Sequence, residues 1–221
     1  MFAGGAARLL RPRYLVLVAA LAAGILAGVL VAQSRHSSPA VQAAPAIGEP
    51  QVSWAAGVRR APDFALTDQA GDPISLARFK GTPVVITFID PLCRNLCPLE
   101  AKILEQAVVS LPAAQRPEIV SVSVNQWANA RRYLFQDVAK WGLHTNWHWA
   151  VGPRPALAKV WQSYQIGVAD SPRTVAGVTV HDISHTEASY VVDRDGNERA
   201  LFLYPFTAKQ VAATLKQVAG A

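Results

Sequence analysis

The sequence predicts an α/β domain with a central sheet flanked by helices, and two observations support this fold class. Strand-like and helical segments alternate in the order β, β-α, β-α, β-α, ββ-α from about residue 60 onward, which is typical of a sheet packed between helices. Residues 84–89, VVITFI, are β-branched or aromatic, as a buried strand requires. Residues 14–32 form a separate apolar run ahead of the domain.

The length of the chain and the distribution of its charges restrict the classes of function that it can have. The 221 residues allow one domain of ordinary size with an N-terminal extension. Residues 1–60 hold six arginines against the single acid Glu49, which leaves 15 basic and 14 acidic residues in the remainder. The net charge of +6 therefore belongs mainly to the extension. Because the domain is nearly neutral and has no basic run, nucleic acid is excluded as a partner.

The apolar run at residues 14–32 is predicted to be a transmembrane anchor. It holds 19 uncharged residues and follows Arg8, Arg11 and Arg13, so residues 1–13 form a basic segment in the cytoplasm. A cleaved signal peptide is the alternative, with Val41-Gln42-Ala43 as a cleavage site, although its apolar region would exceed the usual length of about 7–15 residues. Both interpretations place the rest of the chain outside the cytoplasm, and the anchor predicts a single-pass protein of the cell membrane.

Residues 33–59 are predicted to be a flexible linker, because they are rich in Ala, Ser, Pro and Gln without a sustained period. The folded domain is then predicted to span residues 60–221. Strand patterns lie at residues 64–67, 84–89, 118–124, 147–151, 189–192 and 200–204. Helical patterns lie at residues 98–111, 128–143, 154–166 and, after the cap Thr207, 208–220. Residues 167–184 are predicted to be a loop with at most a short hairpin.

The two cysteines of the chain lie where the strand at 84–89 passes into a helix. Asp90 and Pro91 end the strand, and Pro98 suits the first position of the helix, with Glu100 in its first turn. Cys93 and Cys97 therefore lie at the junction, with Cys97 next to the helix N-terminus. Free N–H groups and the helix dipole favour a thiolate there, which serves either redox chemistry or a soft metal.

The cysteine pair has three interpretations on sequence alone. A structural disulfide is permitted by the spacing, but so short a loop would contribute little to stability. Redox chemistry and metal binding are the other two. His181 and His185 lie just before the strand at 189–192, and two thiolates with one imidazole would suit copper. An isolated histidine is, however, more often a surface or packed core residue.

Three segments resemble, in the same order, the Sco/SenC family of membrane-anchored thioredoxin-like proteins: APDFALTDQAG, FKGTPVVITFIDPLCRNLCPLEAKIL and HTEASYVVDRDG. The family motif C-x-x-x-C-P matches Cys93, Cys97 and Pro98. Its second motif, a histidine followed by Thr or Ser and a Tyr-led strand ending near Asp and Gly, matches His185, Thr186, Tyr190, Asp193 and Gly196. The resemblance covers residues 60–220.

The resemblance implies a thioredoxin-like fold with a central mixed sheet, and a copper ion, Cu(I) or Cu(II), bound by Cys93, Cys97 and His185. It implies a metallochaperone that assembles the copper centre of a cytochrome c oxidase, with the copper-receiving subunit of a respiratory oxidase as partner. The chain departs from the family at Arg94 and Asn95, where Pro and an acidic residue are usual, and at Asn125-Gln126, where Asp-Pro is usual.

Two other functions remain open. Cys93 and Cys97 as a redox dithiol would make the protein an extracytoplasmic thiol-disulfide oxidoreductase without a metal, acting on a partner's cysteines. A fixed disulfide would instead belong to an anchored interaction domain. His181 is a candidate auxiliary ligand without a recognisable metal-site spacing. His144 and His148 are predicted to lie in a turn or strand packed by aromatic residues rather than at a metal.

Overall fold

The computed structural model describes residues 49–143 and 147–220, which belong to one compact unit, Pro45–Ala221. The predicted cytoplasmic segment, the predicted anchor at 14–32, most of the predicted linker and His144 lie outside the described residues. Within the described ranges, every helix is too short or too polar to span a bilayer.

A six-stranded mixed sheet forms the centre of the domain, in the order β1-β10-β9-β4-β5-β6. β4 pairs in parallel with β5, and β5 with β6, while β9 runs antiparallel to β4 and β10. The predicted α/β fold with a central mixed sheet is therefore confirmed. The bounds are Val52–Ser53 (β1), Val84–Ile89 (β4), Glu118–Ser123 (β5), Trp147–Ala150 (β6), Ala188–Val192 (β9) and Glu198–Leu203 (β10).

β4 is buried over its whole length and separates two apolar cores. Val85 and Ile89 face one core, and Val84, Ile86 and Phe88 face the other, because successive side chains of a strand point to opposite faces of the sheet. A strand buried on both faces reads as a continuous apolar run in the sequence, which explains why residues 84–89 were predicted with the correct bounds.

Four helices cover the two faces of the sheet. Their bounds are Leu96–Val109 (α1), Arg131–Trp141 (α2), Arg154–Ser163 (α3) and Ala208–Ala219 (α4). α1, α2 and α4 bury apolar residues in the core that contains Val85, whereas α3 packs into the core that contains Val84. Thr207 and Gln210 form a capping box at the start of α4, as the predicted cap at Thr207 requires.

α1 begins two residues earlier than predicted. Asn95 caps the helix by accepting the Leu96 N–H at 2.8 Å, which satisfies one of the unpaired donors of the first turn. Pro98 is consequently the third helical residue, and Glu100 lies beyond the first turn. The predicted role of Glu100 as an acid for the helix dipole is therefore wrong.

A long hairpin occupies most of the segment predicted to be a loop. β7 (Val168–Val175) and β8 (Val178–His185) pair over eight residues each and form a separate two-stranded sheet. Ala176 and Gly177 connect them with positive φ values of 49° and 80°, the backbone of a type I′ hairpin turn. β7 is exposed along nearly its whole length, and half of β8 is exposed, so the sequence lacks the apolar alternation that identifies a half-buried strand.

Short elements complete the domain. β2 (Leu66–Thr67) and β3 (Pro73–Ile74) pair as a short antiparallel hairpin. β1 pairs with β10 through Val52 and Ser53, so this part of the predicted linker is attached to the sheet. Single 3-10 turns lie at Leu76–Phe79, Ala113–Gln115 and Gln126–Ala128.

Candidate metal centre

The segment between β4 and α1, residues 90–95, carries Cys93 and is here called the cysteine loop. Asp90 holds its start, because Asp90 Oδ1 accepts hydrogen bonds from Leu92 N at 2.8 Å and from Asn125 Nδ2 at 2.9 Å. The Cys93 N–H donates to the Asp90 carbonyl at 3.0 Å. Asn125, where the chain departs from the family pattern, therefore ties the end of β5 to the cysteine loop.

Cys93 is a half-buried thiol at the N-terminus of α1. Its Sγ accepts the Cys97 N–H at 3.4 Å, and as a thiol it donates to Asn95 Oδ1 at 2.9 Å. The pKa of Cys93 is lowered to about 6, chiefly by a hydrogen bond from the Cys97 thiol and also by the backbone N–H groups of Asn95 and Cys97, against the opposing effect of burial. Cys93 is therefore the first thiolate of the pair to form.

Cys97 is fully buried in the first turn of α1. The hydrogen bond that it gives to Cys93 raises the pKa of Cys97 far above its usual range, and burial and the nearby Glu187 carboxylate raise it further. Both cysteines are free thiols in the structure. The pair is thus asymmetric, with a reactive outer sulfur on Cys93 and an inner sulfur on Cys97 that needs a metal or a disulfide bond to lose its proton.

His185, the last residue of β8, lies beside the inner sulfur. Its Nε2 is 3.7 Å from Cys97 Sγ, and its side chain is only 3% exposed. Its Nδ1 is 3.1 Å from the Thr186 carbonyl oxygen, which accepts hydrogen bonds and cannot donate them. Nδ1 therefore carries the proton in the neutral ring, and the lone pair of Nε2 is directed toward Cys97, as metal-binding histidines require.

Glu187 is a neighbour of this pair that the sequence reasoning missed. Its Oε1 lies 3.3 Å from His185 Nε2. One ligating atom each from Cys97, His185 and Glu187 lies within 4.8 Å of the other two. Residues two apart in an extended chain lie on the same side, so the H-T-E spacing contained a signal for Glu187.

Glu100 is fully buried next to Glu187. Its Oε1 accepts hydrogen bonds from the hydroxyl groups of Thr87 at 2.8 Å and Ser189 at 2.7 Å. Burial raises the pKa of Glu100 well above its usual range, and the neighbouring Glu187 carboxylate raises it further. Glu100 is therefore the protonated member of two adjacent carboxyl groups.

The structure brings together two of the three predicted ligands directly and places the third nearby. A first-row metal bound at about 2.3 Å to sulfur and about 2.0 Å to nitrogen keeps these two atoms about 3.0–3.7 Å apart at bond angles of about 90–120°, and the observed separation of Cys97 Sγ and His185 Nε2 fits this range. Cys93 lies outside the compact group of Cys97, His185 and Glu187. Completing the predicted set requires Cys93 Sγ to move closer to this group.

The other histidines of the described residues have partners of their own. The ring of His181 stacks on Trp127 with centroids 4.2 Å apart, and its Nδ1 lies 2.8 Å from Asp170 Oδ2. His148 packs against Phe79 and pairs with Glu118, which agrees with the predicted aromatic environment. His181 lines an open cavity of about 500 Å³ together with Cys93 and His185, but it is not in the compact group.

The family model SCO1/SenC matches residues 55–220, which is most of the chain and includes both cysteines, His185 and Glu187. The chain belongs to the SCO1/SenC family. Among curated protein sequences, none is significantly similar to it.

Solved structures show the same fold for this SCO1/SenC protein. Copper-bound ScoI of Bradyrhizobium japonicum is 22% identical, with a TM-score of 0.61 over 72% of this chain and 99% of that one. Copper-bound yeast Sco1 is 14% identical, with a TM-score of 0.65 over 74% and 90%. The thioredoxin domain of a thiol-disulfide oxidoreductase from Bacteroides vulgatus is 18% identical, with a TM-score of 0.52 over 75% and 98%. The predicted thioredoxin-like fold is therefore confirmed.

Proposed function

We propose that this SCO1/SenC protein is a copper metallochaperone that binds one copper ion through Cys93, Cys97 and His185. The observation that carries the proposal is the 3.7 Å separation of Cys97 Sγ and His185 Nε2, which joins a helix start to a hairpin base 88 residues later in the chain. The copper-bound state of related structures supports copper as the ion, and two thiolates with one imidazole are ligands that copper favours.

The asymmetry of the dithiol gives an order of binding. The Cys93 thiolate is exposed enough to capture the ion, and Cys97 then loses its proton to the solvent as its sulfur binds the metal. His185 is already oriented by Thr186 and needs no reorganisation to offer Nε2. Release also begins at the exposed Cys93, since an incoming thiolate or imidazole of the partner displaces its sulfur first.

We further propose that the partner is the copper-receiving subunit of a respiratory oxidase, with cytochrome c oxidase assembly as the process. Family membership supports this assignment. The anchor predicted at residues 14–32, with residues 1–13 in the cytoplasm and residues 33–59 as a linker, would hold the domain at the outer face of the cell membrane. In right-side-out membrane vesicles, a membrane-impermeant maleimide should then label Cys93 without detergent; labelling only after detergent would contradict this orientation.

A copper titration tests the metal assignment. The reduced full-length chain in detergent should bind one Cu(I) per chain under anaerobic conditions. His185→Ala should weaken binding by about tenfold or more, because even groups that only orient ligands contribute about 10–100-fold. His181→Ala is the matched control, since it removes an imidazole from the same strand. Wild-type protein that binds no copper tightly, or equal binding by His185→Ala, would contradict the proposal.

A second candidate function is supported by the low pKa of Cys93, about 6. In a thiol-disulfide oxidoreductase without a metal, the Cys93 thiolate would attack a partner disulfide and release one partner thiolate. Cys97 Sγ would then attack Cys93 Sγ, lose its proton and release the second partner sulfur, leaving a Cys93–Cys97 disulfide. Reduction of a model disulfide that persists in His185→Ala would favour this function. Failure of the reduced protein to react with any disulfide would remove it.

A further inference from the structure

The cavity beside Cys93 runs along the edge of β8 rather than along one of its faces. Every residue from 180 to 185 lines this cavity of about 500 Å³. Successive side chains of a strand point to opposite faces, so a cavity lined by six consecutive residues follows the edge of the strand. The cysteine loop supplies Leu92, Cys93 and Asn95 to the other wall. The edge of β8 and the outer sulfur therefore face the same open space.

The register of the hairpin determines which backbone groups of β8 point away from β7. The residues that flank a two-residue turn form a hydrogen-bonded pair, and such pairs alternate with non-hydrogen-bonded ones along the ladder. His181 and Ile183 belong to non-hydrogen-bonded pairs by this count, and the bond from Thr186 N to the Gly167 carbonyl at 3.0 Å fits the same alternation. The N–H and C=O groups of His181 and Ile183 therefore point outward, and none of the described residues binds them.

The outer edge of β7 is closed to a further strand. Pro172 lies opposite His181, so its nitrogen points outward from the hairpin and carries no hydrogen. Proline at such a position blocks the addition of a strand. β8 contains no proline, and an exposed strand edge with unpaired N–H and C=O groups is a template for another chain. The hairpin is therefore open on the side of Cys93 and closed on the opposite side.

The charges that line the cavity are negative. Asp90, Asp182 and Glu187 line it, and among the described residues neither lysine nor arginine does. Arg173 on β7 compensates Asp182, whereas Arg94, the cation of the cysteine loop, faces an acid of α2. A segment that carries lysine or arginine would therefore complement this cavity.

We propose that the outer edge of β8 binds an extended, cationic segment of the partner as an added strand, and that this segment brings a cysteine of the partner to Cys93. The inference rests on the proposed function, because it names how the copper-receiving partner is recognised. Backbone hydrogen bonds to His181 and Ile183 hold the segment. Side chains at alternate positions of the segment contact Leu92 and Leu96, which are each 38% exposed and line the cavity.

The test uses a synthetic peptide of about nine residues, with threonine and valine around one central cysteine and a lysine near each end. The peptide cysteine is activated as a mixed disulfide with thionitrobenzoate. With the reduced, metal-free full-length chain in detergent, the Cys93 thiolate attacks the peptide sulfur, and thionitrobenzoate leaves as a coloured thiolate. The initial rate should exceed that of N-acetylcysteine amide, activated in the same way, by about tenfold or more, because a few backbone hydrogen bonds suffice for this factor.

Two N-methylated peptides with the same side chains are the matched controls. One is methylated on the odd residues and the other on the even residues, so each loses the donors of one strand edge only. One of them should react no faster than N-acetylcysteine amide, and the other should keep the full preference. Replacing the lysines by glutamates should lower the rate by about threefold or more at low salt, because the cavity would then repel the peptide.

A pair of proline variants tests the same edge from the side of the protein. Ile183→Pro removes an outward N–H without removing a bond to β7 and should abolish the preference for the peptide. Thr179→Pro is its control, because Thr179 points its N–H to the same edge but does not line the cavity. Thermal unfolding shows whether each variant is folded, and the N-methylated peptides decide the question if Ile183→Pro is not.

The outcomes separate this inference from the proposed function. Equal rates for the peptide and N-acetylcysteine amide, or for the two N-methylated peptides, would overturn the inference, while copper binding would still support the proposed function. A preference for one N-methylated peptide in a chain that binds no copper would support the docking edge and remove the copper chaperone. A dimer that the peptide dissociates would assign the edge to a second copy of the chain and overturn the choice of partner.

Discussion

Arg94 Nη1 lies 3.9 Å from Asp137 Oδ1, so the cation of the cysteine motif faces an acid of α2. Asp137 is 2% exposed, and its second oxygen has no hydrogen-bond partner among the described residues. Burial raises the pKa of Asp137 to about 6, although Arg94 and Lys140 oppose this effect. Arg94 thus compensates a buried carboxylate while its guanidinium also donates to the carbonyl oxygens of Pro91 and Cys93.

This pair predicts a pH dependence of stability. The folded protein binds a proton at Asp137 more tightly than the unfolded chain, whose ordinary pKa is 3.8. The contribution of Asp137 to stability is therefore largest below about pH 4 and is lost as the pH rises to about 6. The loss should be about 1–3 kcal/mol. Chemical denaturation between pH 4 and 8 should show this decrease in wild type and a smaller one in Asp137→Asn; identical profiles would contradict the assignment.

The reactivity of Cys93 should follow the hydrogen bond from Cys97. In metal-free wild type, the alkylation rate of Cys93 should be half-maximal near pH 6, because only the thiolate reacts. Cys97→Ala removes the donor and should move the midpoint toward the ordinary value of 9.0, whereas Cys97→Ser keeps a hydroxyl donor and should move it less. Measuring alkylation against pH by mass spectrometry separates the two variants. Midpoints that stay near pH 6 in both variants would show that the helix N-terminus, not Cys97, controls the pKa.

We expect Glu100→Gln to leave the stability of the fold nearly unchanged and Glu100→Ala to lower it. Glu100→Gln keeps an oxygen to accept from Thr87 and Ser189, and at pH 7 it replaces a protonated acid, so we expect a change below about 1 kcal/mol. Glu100→Ala leaves a cavity and two buried hydroxyl groups without their acceptor, and should cost about 2–4 kcal/mol. Urea unfolding of both variants measures this. A large loss in Glu100→Gln would mean that the carboxylate form is the native one.

Copper should stabilise the folded state through its ligands. At a free Cu(I) concentration of about 100 times the dissociation constant, mass action adds about 2.7 kcal/mol, and a chelator should remove this gain. Cys93→Ser and His185→Ala should reduce the difference between loaded and metal-free protein. Thr207→Ala provides a control, because loss of the α4 cap should cost about 1 kcal/mol in both states equally. Thermal unfolding that does not depend on copper would contradict the ligand assignment.

The strand at residues 84–89 and the position of Cys97 at a helix start were predictable because they depend on local signals. Val84 to Ile89 form a continuous run of β-branched and aromatic residues, and the turn after them carries Asp90, Pro91 and Asn95. The proximity of His185 to Cys97 does not follow from local sequence signals. Only the resemblance predicted it, since the contact depends on how β9 pairs with β4 and on the path of the hairpin before it.

The environment of Glu100 could not be predicted in the same way. Glu100 lies three residues after Cys97, so it shares a helix face with it, but an acid near a helix start is ordinarily solvent-exposed. Its burial follows from Thr87 and Ser189, which supply hydrogen-bond donors from two neighbouring strands. Such a contact requires the sheet pairing to be known before the side chains can be placed.

The register of the β7–β8 hairpin places His185 at its base, so the position of this residue does not depend on the length of the hairpin. Val168 pairs with His185 at the base, and Val175 pairs with Val178 next to the Ala176-Gly177 turn. The hydrogen bonds between Thr186 and Gly167 close the base independently of the turn. Removing equal numbers of residues from β7 and β8 near the turn would shorten the hairpin without displacing the His185 imidazole. The length of the hairpin and the position of His185 can therefore change separately among related proteins.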